Sequence, residues 1–224
     1  AGTSALTLGQ SVTNAGTITL NNDSASSKTI LLDYSGITLT NTGLISTTNT
    51  GVGGGTKTLS GTTFDTSMGG VSVDPGDVLR IGSTVTKLGT GTDFSGSGAI
   101  EFTGTQTLDL VSDFTIDLST QSLDLSGAIT ISGTGSLIIS MGDLTLTTDT
   151  LSADLMNTGT LVVKDGTSNI SSTNFNNMGG TIAIRGSSVT SSALVLLASV
   201  TNAGTIQLDN ETNSLQSATL DASG

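Results

Sequence analysis

One twelve-residue segment occurs twice in this chain, once near each end. Residues 11–22 have the sequence SVTNAGTITLNN and residues 199–210 have SVTNAGTIQLDN, so ten of twelve positions are identical. Self-similarity of this kind is typical of chains whose units stack on one another, and it constrains the architecture before any single motif does. The chain is therefore predicted to be a repeat protein, whose function lies in shape rather than in chemistry.

A shorter pattern, Asn-x-Gly followed by alternating aliphatic and polar residues, recurs between these two copies. Asn and Gly tolerate the left-handed backbone of a sharp corner, and the alternation that follows is that of a half-buried strand. We expect the corner residues to occupy related corners, where the Asn amides either form a ladder along the stack or merely suit a turn. The predicted turn and ladder residues are Asn14, Gly16, Asn41, Gly43, Asn157, Gly159, Asn177, Asn202 and Gly204.

The spacing of these corners predicts the fold class. Corner glycines recur every 21 to 27 residues, and each unit contains several short alternating segments. We predict an all-β, single-stranded parallel β-helix, or β-solenoid, of about nine coils with about three strands in each coil. At the usual strand spacing of about 4.8 Å, such a stack would be a rod on the order of 45 Å long.

A globular β-sandwich is the competing architecture, because it also uses short alternating strands separated by turns. Composition favours the solenoid. Hydrophobic residues make up 34% of the chain but aromatic residues only 3%, which fits many small, similar layers better than one large core. Residues 1–224 are predicted to form a single domain, with an irregular loop insertion around 52–74 as the expected contact site.

Charge and residue usage exclude several classes of function. The chain has no Cys and no His, so thiolate metal sites, Cys nucleophiles and imidazole bases are excluded. Its net charge of -12 makes nucleic acid an unexpected partner, because phosphate binding needs clustered Lys and Arg. Since no run of about twenty apolar residues occurs, we also expect no membrane span. The chain begins at Ala1 without a methionine, as a processed or excised segment would.

The corners at 14–18, 157–161 and 202–206 resemble the filamentous haemagglutinin type of repeat, and more broadly the passenger regions of bacterial autotransporters and two-partner-secreted adhesins. The resemblance extends more loosely over most of the chain and departs from it over 52–97. It implies a right-handed parallel β-helix that is exported and displayed outside the bacterial cell. Such short repeats specify an architecture better than an activity, and no secretion route follows from them.

We expect the chain to have no cofactor. Calcium is the one cofactor for which the sequence offers candidate ligands. Carboxylates brought together on one face could bind it. Three of the clustered acids alternate with aliphatic residues on predicted strands, and this pattern favours outward-facing solubilising residues. A lone Gly-x-Gly-x-Asp segment offers a further acid, but that calcium motif works through tandem copies. The candidates are Asp93 and, in the cluster, Asp109, Asp113, Asp117 and Asp124.

Three functions remain open at this level. The first is a non-enzymatic extracellular rod, a segment of a bacterial surface adhesin or matrix protein, whose partners are flanking solenoid repeats and host glycans or proteins. The second is a filament subunit that stacks end to end on copies of itself through open terminal coils. The third is a polysaccharide-active enzyme on the same scaffold, which would need grouped carboxylates beside Arg or Lys. We expect no enzymatic activity.

Overall fold

The computed structural model describes residues 2–24, 28–51, 55–119, 122–187, 190–210 and 216–223, and every regular element in these ranges is a β-strand. The strands, in chain order, are β1 (Thr3–Thr7), β2 (Val12–Asn14), β3 (Thr17–Asn21), β4 (Thr29–Asn41), β5 (Leu44–Thr48), β6 (Thr56–Asp65), β7 (Gly70–Val73), β8 (Val78–Leu88), β9 (Asp93–Gly96), β10 (Ala99–Thr103), β11 (Gln106–Leu110), β12 (Phe114–Asp117), β13 (Ser122–Ser126), β14 (Ile129–Gly133), β15 (Ser136–Met141), β16 (Asp143–Leu146), β17 (Thr150–Leu151), β18 (Asp154–Asn157), β19 (Thr160–Lys164), β20 (Thr167–Ile170), β21 (Phe175–Asn177), β22 (Thr181–Gly186), β23 (Ser192–Leu196), β24 (Val200–Asn202), β25 (Thr205–Asn210) and β26 (Ala218–Asp221).

Strands from successive coils stack in parallel on three faces, which we call A, B and C. Face A comprises β1, the first halves of β4, β6 and β8, and then β10, β13, β16, β19, β22 and β25. Face B comprises β2, the second halves of β4, β6 and β8, and then β11, β14, β17, β20, β23 and β26. Face C comprises β3, β5, β7, β9, β12, β15, β18, β21 and β24. The chain is therefore a β-solenoid of about nine turns, as predicted.

Inward-facing side chains of successive coils lie above one another and form continuous rows. Because side chains alternate along a strand, one residue in two enters the interior, and parallel pairing places it against its counterpart in the next coil. The face B row contains a single buried hydroxyl among its apolar members. This row is Val12, Leu39, Phe64, Thr86, Leu108, Ile131, Leu151, Ile170 and Leu196.

The hydrogen-bonded ladders are interrupted at two places in the middle of the stack. Face C divides between β9 and β12, and face A divides between β13 and β16. The interior remains continuous across the face C break, where Phe94 and Phe114 form an edge-to-face pair with ring centroids 5.6 Å apart. Packing of large side chains therefore takes over where backbone pairing stops.

The predicted loop over 52–74 is wrong for most of its length. Strands β6 and β7 lie within it, and they pair with the coils on both sides. Residues 52–54 lie outside the described part of the chain. The segment departs from the aliphatic alternation at two inward positions, where Lys57 and Gly61 stand, and this hides its strands from the sequence pattern.

Coil length varies more than the corner spacing predicted. Paired residues of β3 and β5 are 27 positions apart, whereas those of β16 and β19 are only 17 apart, below the expected minimum of 21. The longest coils contain strands that bend through a corner, as β4 does at Gly36, whose φ of 78° lies in the left-handed region. At the following coil, Gly61 leaves room for the buried Tyr34 ring, and the Tyr34 hydroxyl hydrogen-bonds the Ser83 hydroxyl at 2.5 Å.

Candidate functional site

The Asn side chains of the corners form two amide ladders inside the stack. In the first, the Nδ2 of Asn14 donates to the Oδ1 of Asn41 at 2.8 Å, and Asn41 then donates to Thr66 in the next coil. In the second, Asn157 donates to Asn177 at 2.8 Å, and Asn177 donates to the next Asn, residue 202, at 2.7 Å. Asn14, Asn41, Asn157 and Asn177 each also donate to a backbone carbonyl of the following coil, whereas the terminal Asn202 donates to a carbonyl of its own coil.

These two ladders lie at different corners, which corrects the expectation of one shared set of corners. Asn14 and Asn41 end strands of face B and lead into face C. Asn157, Asn177 and Asn202 end strands of face C and lead into face A. The same local sequence therefore forms either corner, because the turn requires only a buried amide and a close backbone approach.

Close approach between coils explains the glycines of these corners. A Cβ atom on Gly43 would lie 2.1 Å from the carbonyl oxygen of Gly16, and one on Gly204 would lie 2.1 Å from the carbonyl oxygen of Gly180. The same test on Gly159 gives a tight contact of 3.0 Å. Real Cβ atoms do not tolerate contacts near 2 Å, so glycine is required where one coil sits on the preceding one.

Gly16 differs from its counterparts at the other corners. A Cβ added to it would meet no atom within 4 Å, and its φ lies outside the left-handed region. Neither sterics nor backbone conformation within the described structure therefore requires glycine at this position.

A buried polar cluster, which sequence reasoning missed, lies at the corner between faces C and A. The Nζ of Lys57 lies 2.5 Å from the Oδ1 of Asp77, and both side chains are fully buried. Lys57 also donates to the Oδ1 of Asn49 at 2.7 Å, and the Asn49 amide donates to Asp77. Alternation could have revealed it, since Lys57 shares the inward parity of Leu59 on β6.

Apart from this cluster, the charged side chains lie mainly on the outside of the stack. Arg80 and Glu101 are paired in register on face A and form an ion pair at 2.6 Å, with about half of the Arg80 side chain exposed. On face B, Lys87 lies between Asp65 and Asp109 of the neighbouring coils. Exposed pairs of this kind contribute little stability, about 0–1 kcal/mol each.

The structure distributes the candidate calcium ligands over different faces. Asp109 is on face B and Asp117 is on face C, where it accepts a hydrogen bond from the Ser119 backbone. Asp113, at the corner between them, accepts one from the Ser136 backbone. Of the remaining two candidates, Asp93 begins β9 on face C and Asp124 lies on β13 of face A. Within the described ranges, no group of three or more carboxylates is placed to share a metal ion.

Hydrogen bonds hold the pKa of several exposed carboxyls below the usual range, and one buried carboxyl is shifted the other way. The Ser119 hydroxyl and backbone lower the pKa of Asp117. Burial raises the pKa of Asp149, although its carboxylate accepts hydrogen bonds from the backbone of Ile129 and Thr147. Asp149 therefore carries the buried charge that acidification would relieve.

A groove of about 520 Å³ lies where the ladder of face A is interrupted. It is lined by seven residues, which include two carboxylates and no Lys or Arg. They are Leu118, Ser122, Leu123, Asp124, Gly142, Asp143 and Thr145. A site acting on acidic polysaccharide would need basic side chains beside its carboxylates, and the described lining does not supply them.

Comparison of the chain with protein-family models, with curated proteins and with solved structures gave no significant match. The haemagglutinin-type resemblance therefore rests on the sequence pattern, most clearly at the corners, and the structure adds the β-solenoid fold to it. Among the described residues, no helix is long and apolar enough to cross a membrane.

Proposed function

We propose that this chain is a non-enzymatic, rod-forming segment of a bacterial surface adhesin or extracellular matrix protein. The observation that carries the proposal is the continuity of the inward rows, such as the face B row from Val12 to Leu196, together with the buried amide ladders. Each coil buries its apolar side chains only against its neighbours, so the stack behaves as a stiff, quasi-one-dimensional object.

The outer surface fits a role in presentation and contact. Thr, Ser and Asn occupy most outward positions of face C, in the row that begins with Thr19, Ser46 and Ser72. An acidic surface with a net charge of -12 keeps the rod soluble and separate from other anionic surfaces. Host glycans or host surface proteins are the partners that an exported rod of this kind would meet.

Binding of the folded rod to immobilised extracellular-matrix proteins and to a glycan array tests this proposal. A Gly43→Val chain, in which the added side chain would collide with Gly16, is the matched control for shape. We expect the wild-type protein to bind and the Gly43→Val protein to lose binding together with its β-sheet circular dichroism. Release of sugar from acidic polysaccharides, or equal binding by the unfolded control, would contradict the proposal.

A second candidate function, a filament subunit, is favoured by the apolar side chains at the two ends of the stack. Leu6 on β1 is 60% exposed and Leu208 on β25 is 53% exposed, although both occupy inward rows whose other members are buried. Electron microscopy of the isolated chain discriminates the two candidates. Long uniform fibres would support the filament, and short single rods at every concentration would reject it.

A further inference from the structure

The repeat at the two ends is longer than the twelve-residue segment and contains no gap. With a constant offset of 188 positions, residues 1–36 align with residues 189–224 and are identical at 19 of 36 positions. Strand pairing follows the same offset. Ser4 pairs with Ile30 and Leu6 with Leu32, while Ser192 pairs with Ala218 and Leu194 with Leu220. The first and last coils are therefore one structural unit that occurs twice.

The two copies of this unit are rotated by one face relative to each other. The first copy runs through faces A, B and C as β1, β2 and β3, whereas the second runs through faces B, C and A as β23, β24 and β25. The 188-residue interval thus corresponds to eight full coils and one further face. The second copy lies on β20, β21 and β22, and the first copy lies beneath β4 and β5.

Each copy is covered on the side that the other leaves open. Leu6 is 60% exposed, but its counterpart Leu194 is fully buried against the preceding coil. Leu208 is 53% exposed, but its counterpart Leu20 is 6% exposed beneath the following coil. A single unit placed between β20–β22 below and β4–β5 above would bury both sets of side chains, and each half of that contact is already present in the structure.

We propose that β1, β2 and β3 of one copy of this chain take the place of β23, β24 and β25 on β20, β21 and β22 of a second copy. The two copies then form one continuous stack, in which the second is rotated by one face. The replacement exchanges one interface for an equivalent one, as in domain swapping. Association entropy opposes it, while the released segment regains backbone entropy.

This arrangement accounts for the glycine at position 16. In the joined stack Gly16 takes the place of Gly204, whose added Cβ would lie 2.1 Å from the carbonyl oxygen of Gly180. Asn14 takes the place of Asn202 and accepts the amide of Asn177, which extends the ladder across the junction. Glycine at position 16 is then required by the contact that forms between copies, while Asn14, which already donates to Asn41, gains a donor across the junction.

The intramolecular copy competes strongly, because β23, β24 and β25 are tethered beside β20, β21 and β22 at a high effective concentration. Joining is therefore expected only when the protein is concentrated or when its own last coil is weakened. The substitution Leu194→Asp weakens that coil by placing a charge at a fully buried position. Leu6 of a second chain, the counterpart of Leu194, then supplies the apolar side chain that packs on β20.

A disulfide cross-link tests the junction, since the chain contains no Cys of its own. Asn169 pairs with Val195, whose counterpart is Thr7, so Asn169→Cys in one chain and Thr7→Cys in another would be adjacent only in the joined stack. The first chain also carries Leu194→Asp. Oxidation of the mixture is expected to give the mixed dimer, in an amount that rises with concentration.

Two matched variants of the Thr7→Cys chain decide the outcome. Gly16→Val is expected to reduce the mixed dimer at least about tenfold, because the clash costs more than ~1.4 kcal/mol. Gly9→Leu is expected to leave it unchanged, because the counterpart of Gly9 is Leu197, and both glycines have open space in the single chain. A dimer that is insensitive to Gly16→Val, or none at millimolar concentration, would overturn the proposal.

The same cross-link in chains that lack Leu194→Asp guards against misfolding of that variant, with a smaller yield expected and the same dependence on position 16. The proposal deepens the filament function and requires the stacked rod, but the two can fail separately. A folded chain that retains β-sheet circular dichroism and never cross-links would reject the junction and leave the rod intact.

Discussion

The Nζ of Lys57 and the Oδ1 of Asp77 lie 2.5 Å apart in the interior of the stack, with both side chains fully buried. Removing one partner of such a pair leaves an uncompensated buried charge, which costs about 3–5 kcal/mol. We therefore expect Lys57→Met to destabilise the protein by about this amount in urea denaturation. The double variant Lys57→Met with Asp77→Asn should recover more than half of the loss. Additive effects of the two substitutions would show that the pair is not coupled.

The middle of an amide ladder should matter more than its end. Asn177 is buried, accepts from Asn157 and donates to Asn202, so Asn177→Ala removes a buried amide and leaves an N–H of the buried Asn157 amide without its acceptor. We expect it to cost about 1–3 kcal/mol. Asn202→Ala, at the exposed end of the same ladder, should cost less than about 0.5 kcal/mol in the same denaturation experiment, because water replaces the lost partner. Equal costs would contradict the ladder.

Two corner glycines of the same Asn-x-Gly pattern should respond differently to substitution. Gly43→Ala places a Cβ against the Gly16 carbonyl and is expected to lower the melting temperature by several degrees, since it costs about 1–3 kcal/mol. Gly16→Ala places its Cβ in open space and should leave the melting temperature of the dilute single chain almost unchanged. A large loss at Gly16 in dilute protein would contradict the open first coil.

Asp149 should make the stability of the protein rise on acidification, relative to a variant that cannot titrate. Because burial raises its pKa in the folded state, its contribution is fully present below the unfolded value of 3.8 and is lost as the pH rises through the folded pKa. Comparing wild type with Asp149→Asn cancels the other carboxyls. As the pH is lowered from about 7 to about 4, we expect the free energy of unfolding of the wild type to rise relative to that of the variant. A fall in the wild type's relative stability would mean that the hydrogen bonds from the Thr147 and Ile129 backbone outweigh the effect of burial on this carboxyl.

Local sequence was sufficient to predict the coils but not their arrangement. Alternation such as Thr17-Ile18-Thr19-Leu20 predicts a half-buried strand directly, because each outward and inward position is encoded by its own residue. Which corner a given Asn-x-Gly occupies depends on how many residues precede it in its coil, and coils here differ by as many as ten residues. Asn14 and Asn157 could not be told apart on that basis.

The interior of the third coil shows a different limit. Alternation on β6 hints that Lys57 faces inward, but lysine is normally a surface residue, and its partners Asn49 and Asp77 are 8 and 20 positions away. Only the register of β6 with β8 brings these side chains together. By contrast, the constant offset of 188 between the first and last coils is present in the sequence, but its meaning depends on the one-face rotation that the structure supplies.

The most direct test of the stacked rod is a set of spin-label distances along the outward row of face C. Thr19, Thr115 and Thr201 are exposed and lie on the first, fifth and ninth strands of that face. With strands about 4.8 Å apart, Cys pairs introduced at 19 and 115 and at 19 and 201 should be separated by roughly 19 Å and 38 Å. Distances that double between the two pairs would establish the stack. Similar distances for both pairs, as a closed β-sandwich would give, would contradict it.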